Sequence, residues 1–138
     1  AFRGATIETS ARIAHFEERI QVQRDHAQTL LAALQPGNFY LPDESPGCSS
    51  NWFQFALRFP DNRQRDAMAD HLWQSGIDTA KYLDNIAVEA FTNYGYTGDC
   101  PNAEQLSKTI LLIPISYRLP MSDIEHIAHS INEGAKLI

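Results

Sequence analysis

The chain has 138 residues, enough for one domain with a real hydrophobic core. Hydrophobic residues make up 43% and charged residues 20%, which excludes a disordered tail or a collagen-like repeat. A net charge of −6 carries the wrong sign for nucleic acid or an anionic membrane surface, so neither is expected as a partner. The longest apolar run, Ile110 to Ile115, is broken by Pro114 and reads as a buried strand, too short to span a bilayer.

In chain order, the first expected element is a long amphipathic helix over 8–34. Ile13, Phe16, Ile20, Ala27, Leu30, Leu31 and Leu34 recur at spacings that place them on one stripe. Pro36-Gly37 stops it. A helix this long exceeds the needs of a small domain and suits a spine that rests on something else. A loop with two prolines follows, at Leu41 to Gly47.

The next element is a strand in which Phe53, Phe55, Leu57 and Phe59 alternate against Trp52, Gln54, Ala56 and Arg58. Asp61, with Gln64 three residues later, opens a helix that buries Met68 and Leu72 and ends at Gly76. Residues 77–82 read as a second, shorter strand, and 83–107 as irregular or weakly helical. Thr109 to Pro114 gives a third strand. A final helix opens with a capping box at Ser122-Asp123-Ile124-Glu125, carries Ile124, Ile127, Ala128 and Ile131 on one stripe, and stops at Gly134. The expected fold class is α+β: a small, mainly antiparallel sheet with helices packed on one face, preceded by the long helix.

Single reactive side chains point to little chemistry. His126 and His129 lie three apart, a spacing that can share a metal, but no carboxylate or cysteine completes a site, so no metal is expected. Cys48 and Cys100 sit in Pro/Gly-rich surroundings and read as two free thiols in a reducing cytoplasm. No nucleophile elbow, P-loop or dinucleotide fingerprint occurs, and no catalytic residue is assigned. Tyr82, Asn85, Tyr94 and Tyr96 supply ring faces and polar tips of the kind that orient a small polar ligand. Equally, these tyrosines can simply cover the sheet edge; composition and spacing alone stop at an α+β domain, with a stand-alone metabolite-binding or regulatory module as the alternative function.

The segment Asp99-Cys100-Pro101-Asn102-Ala103-Glu104-Gln105-Leu106-Ser107, the strand Ile110-Leu111-Leu112-Ile113-Pro114 and the run Leu119-Pro120-Met121-Ser122-Asp123-Ile124 carry a resemblance. Together they resemble the DegT/DnrJ/StrS family of pyridoxal-phosphate (PLP) dependent sugar aminotransferases, of fold type I. Upstream, Arg24, Ala27, Leu31 and Leu34 look like the family's Arg-led linking helix. Phe53-Gln54-Phe55, Arg65-Asp66, Leu72 and Gly76-Ile77 are similar to its strand, helix and Gly-Ile turn.

The resemblance implies a C-terminal small domain, with 1–36 as the helix linking to a missing N-terminal large domain and 37–138 as the small domain itself. It implies a cytoplasmic parent protein, homodimeric, that moves an amino group from an amino acid to a keto-sugar or related carbonyl substrate with PLP. Lys81, Lys108 and Lys136 do not match the family's active-lysine context, so this portion is expected to bind no cofactor and to be inactive alone. The resemblance places Lys81, Tyr82 and Asn85 on the substrate side. The family's proline-leucine-histidine stretch is replaced by Asn85-Ile86-Ala87-Val88, a departure from the members that act on nucleotide-linked sugars.

Overall fold

The computed structural model describes residues 13–81 and 86–138. Among them the order is α1 (Phe16–Ala33), β1 (Phe55–Arg58), α2 (Asn62–Gln74), α3 (Ile86–Tyr94), α4 (Pro101–Thr109), β2 (Ile110–Ile113) and α5 (Met121–Gly134). The class is α+β, as the periodicities predict. The part of the expected first helix that precedes Ile13 lies outside the described residues.

The sheet is built around one antiparallel pair. Phe55 faces Ile113 and Leu57 faces Leu111, so four large apolar side chains meet on the core side. Each strand is extended by a single bridge on its free edge, Tyr40 with Arg58 and Ala80 with Leu112. The strand expected over 77–82 is therefore reduced, in its described part, to the Ala80 bridge. The cause is local: the Ile77 amide is spent on the end of α2. It donates to the Leu72 carbonyl at 2.9 Å while Gly76, at φ +78°, donates to Trp73 at 3.0 Å. This is a Schellman ending, and it needs the positive φ that glycine adopts without strain.

The strand alternation also fails at its start. Phe53, expected inside, is 76% exposed, whereas Trp52, expected on the mixed face, is buried. Extended pairing begins only at Phe55, and Trp52 sits at φ +51°, which turns its indole inward to stack on Phe55 at 5.7 Å. A tryptophan in that backbone region is strained, at a cost of about 1–3 kcal/mol. Its indole N–H has no hydrogen-bond partner among the described residues, so burial of the ring has to outweigh both costs.

Helices cover the core face. α5 packs against both α1 and α2, and its Ile124, Ile127, Ala128 and Ile131 are buried as their spacing predicts. It starts at Met121 after an extended Pro120, with no side-chain cap, so the capping box expected from Ser122 does not form. Proline supplies the entry geometry instead, and the Asp123 amide is taken by the Pro120 carbonyl at 3.0 Å. Gly134 is the last residue of α5, where the sequence places the stop. A Cβ there would come within 2.8 Å of both Met68 Sδ and the His71 ring, so the glycine permits close approach of α5 to α2. Asn132 of α5 closes the end of α1, donating to the Ala33 carbonyl and accepting from the Gln35 amide, both at 2.9 Å.

Asp61 caps α2 as its spacing with Gln64 predicts, accepting the Gln64 amide at 2.9 Å and the Gln64 side-chain amide at 3.0 Å. In α1 the residues buried in the core fall in the second half: His26, Ala27 and Leu30, with Leu34 following. Ile13 and Phe16, on the same expected stripe, are 68% and 58% exposed. The first half of the helix runs past the edge of the core, and apolar spacing alone did not reveal where that edge lies.

Candidate functional site

Of the three residues the resemblance placed on the substrate side, the structure describes Lys81; Tyr82 and Asn85 lie outside the described residues. Lys81 follows the Ala80 bridge, at the outer edge of β2, and its ammonium donates to Asp66 Oδ1 on α2 at 3.0 Å. The same oxygen accepts from Arg65 Nε at 2.8 Å. Partial desolvation pushes the Asp66 carboxyl upward, but the two hydrogen bonds and the two positive charges outweigh it and hold the group below its ordinary value. A depressed folded pKa contributes stability above 3.8 that is lost as pH falls through the folded value.

Arg65 is the feature that the motif reading left without a role. Its side chain is 2% exposed, on the same helical stripe as Met68 and Leu72. The signal was present in the sequence: a charged residue three positions before an apolar one, on an otherwise buried face, needs paired partners. His26 is a second such residue, buried on α1 with Nδ1 3.0 Å from the Ser116 carbonyl.

Residues 83–107, expected to be irregular or weakly helical, hold two helices in their described part, α3 and most of α4. Pro101 sits at the first turn of α4, where its missing N–H costs nothing. The tyrosines expected to share a ligand pocket diverge. Tyr94 is 84% exposed, whereas Tyr96 is turned back between the helices. Its hydroxyl donates to Glu104 Oε1 at 2.8 Å and accepts from the Cys100 amide at 2.8 Å, and Phe91 meets its ring edge-on at 4.9 Å. Desolvation and the hydrogen bond to Glu104 push the phenol up to about 12. Tyr96 therefore acts as a clasp, beside a shallow cleft of about 150 Å³ lined by Ile86, Ala87, Ala90 and Ala103.

His126 Nε2 lies 3.0 Å from the Ser75 carbonyl, and His129 is exposed on the next turn. Among the described residues no group of three or more His, Cys, Asp or Glu side chains is arranged to hold a metal ion. Cys48 and Cys100 are exposed free thiols. Among the described residues no helix is long and apolar enough to cross a membrane.

Arg24, which leads the helix part of the resemblance, joins α1 to the loop that follows it. Its guanidinium reaches Glu44 at 3.2 Å and also the Ser50 carbonyl, tying the two-proline loop to α1. These are contacts that position the fold rather than perform chemistry.

Comparison with known proteins agrees with this architecture. The chain aligns with aminotransferase TlmJ from Streptoalloteichus hindustanus at a TM-score of 0.82 and 24% identity, over 93% of this chain and 35% of that one. DesV from S. venezuelae, solved in complex with a ketimine intermediate, gives 0.81 and 24% over 94% and 35%. The sugar aminotransferase CalS13 from Micromonospora echinospora gives 0.75 and 16% over 88% and 32%. The chain thus spans about a third of the length of these solved structures. No curated protein sequence matches it significantly. The sequence pattern of the DegT/DnrJ/EryC1/StrS aminotransferase family, whose members depend on PLP, matches residues 5–132. This chain belongs to the DegT/DnrJ/EryC1/StrS aminotransferase family.

Proposed function

We propose that the chain is the C-terminal small domain of a PLP-dependent aminotransferase that moves an amino group from an amino acid to a keto-sugar or related carbonyl compound. The observation that carries this is the pairing of a family match over 5–132 with structural matches that use only about a third of each relative. The remaining two-thirds would supply the large domain, with 1–36 of this chain leading into it. The parent is a cytoplasmic homodimer in this reading.

The lysines support a division of labour. A lysine that attaches the cofactor has to shed its proton to act as a nucleophile. Lys81 is paired with Asp66 at 3.0 Å and Lys136 with Glu133 at 2.6 Å, both outside the family's active-lysine context, and Lys108 is exposed on the last turn of α4. In this reading none of them attaches the cofactor, and PLP would be held by residues of the large domain. When bound, the cofactor supplies the electron sink for amino-group transfer. Ile13 and Phe16 around the start of α1, together with Phe53 of the segment before β1, are exposed and offer an apolar face of the sort a second domain covers. Lys81, Tyr82 and Asn85 are assigned to the substrate side of the cleft.

Cofactor absorbance and transamination, measured on this chain and on the longer parent protein, test the reading. PLP colour and turnover are expected only with the parent. A PLP-lysine absorbance band on residues 1–138 alone would overturn the assignment.

A further inference from the structure

A cleft of about 390 Å³ lies away from Lys81, between the outer edge of β1 and α4. Its volume is that of a small-metabolite site. Phe59, Pro60 and Leu106 form apolar wall, and Arg58, Asn102 and Gln105 bring polar groups to it. Among the lining residues Arg58 is the one fixed charge, in a protein whose net charge is −6.

Arg58 is held in place before any ligand arrives. Its backbone exchanges two hydrogen bonds with Tyr40, at 2.8 and 3.2 Å, and its guanidinium lies 4.1 Å from the centre of the Tyr40 ring. Stacking engages the face of the guanidinium and leaves its in-plane N–H groups open, the edge that matches two oxygens of a carboxylate or phosphate. Among the described residues those N–H groups have no hydrogen-bond or carboxylate partner. The side-chain amides of Asn102 and Gln105, one turn apart on α4, are likewise without an intramolecular partner there. Three sets of donors thus converge on one cleft unpaired, and the most entropically costly side chain is already ordered.

We propose that this cleft is an oxyanion-binding site, taking a small metabolite through a carboxylate or phosphate group seated on Arg58. Asn102 and Gln105 bind the ligand's hydroxyl or carbonyl oxygens, and Phe59 and Leu106 contact its carbon skeleton. The inference stands on the cleft alone and goes beyond the assignment of the parent enzyme.

Titration of the 138-residue chain with glycerol phosphate and, separately, with succinate, followed by amide chemical shifts, tests it. Saturable shifts confined to the neighbourhood of residues 40, 58, 102 and 105 are expected with at least one of them. A response to glycerol phosphate alone assigns the site to phosphoesters; a response to succinate alone assigns it to carboxylates. Arg58→Gln should weaken binding by about tenfold or more, since a charge-assisted bidentate pair is lost, whereas Arg58→Lys should retain part of it. Gln105→Glu, which sets a negative charge in the cleft without touching β1, should weaken binding in a chain with an unchanged melting curve. Shifts with neither ligand, or shifts that survive both Arg58→Gln and Gln105→Glu, would overturn the proposal.

Discussion

Two helices of this chain make opposite use of their apolar side chains. α5 reads MSDIEHIAHSINEG, a mixed sequence, and buries Ile124, Ile127, Ala128, Ser130, Ile131 and Gly134. α3 reads IAVEAFTNY, more apolar residue for residue, and buries none of its own. Its Ile86, Val88 and Phe91 are 49%, 63% and 52% exposed. The difference is one of position. α5 packs against two other helices over the shared core, whereas α3, among the described residues, leans chiefly on α4, held through Tyr96. Hydrophobic content measures what a helix can gain from burial; the neighbours decide whether it does.

The contrast can be broken by substitution, and the largest effect belongs to the core. Ile131→Ala should destabilise the chain by about 2–5 kcal/mol in urea unfolding, because the side chain is fully buried in the core and its removal leaves a cavity there. A smaller loss, about 1 kcal/mol, is expected for Asp61→Ala, which orphans the Gln64 amide at the start of α2.

The clasp on α3 sharpens the comparison through pH. The folded Tyr96 phenol is raised from 10.0 to about 12, so its contribution is complete below pH 10 and is lost as pH climbs through 12. Urea melts across that window should show a downward slope in the wild type that Tyr96→Phe flattens. The smallest change is expected at Val88→Ser, within about 0.5 kcal/mol in this chain, because the side chain faces solvent. An effect at Val88 as large as that at Ile131 would show that α3 is packed into the core after all.

Several elements were legible residue by residue. The Asp61–Gln64 cap, the Met68 and Leu72 face, the Gly76 stop, the 110–113 strand and the α5 stripe follow from short-range rules of hydrogen bonding and helical repeat, which operate within one element. The Pro-x-Ala-Glu segment and its neighbours also carried the family relationship. Of the candidate site, only Lys81 can be followed into the described residues, and its partner Asp66 lies fifteen positions back on another element. Nothing in the local pattern pairs the two.

What the sequence by itself determined was therefore the class of fold, the long first helix and the helices that follow Asp61 and Pro120, the two strands and the family. The tertiary structure alone decided where the core ends. It buried Trp52 and exposed Phe53, left the first half of α1 overhanging, split the tyrosines between clasp and solvent, and gathered Arg58, Asn102 and Gln105 around one cleft. The reason is physical: backbone hydrogen bonds and side-chain period are properties of neighbouring residues, whereas burial and the convergence of polar groups depend on surfaces contributed by distant parts of the chain.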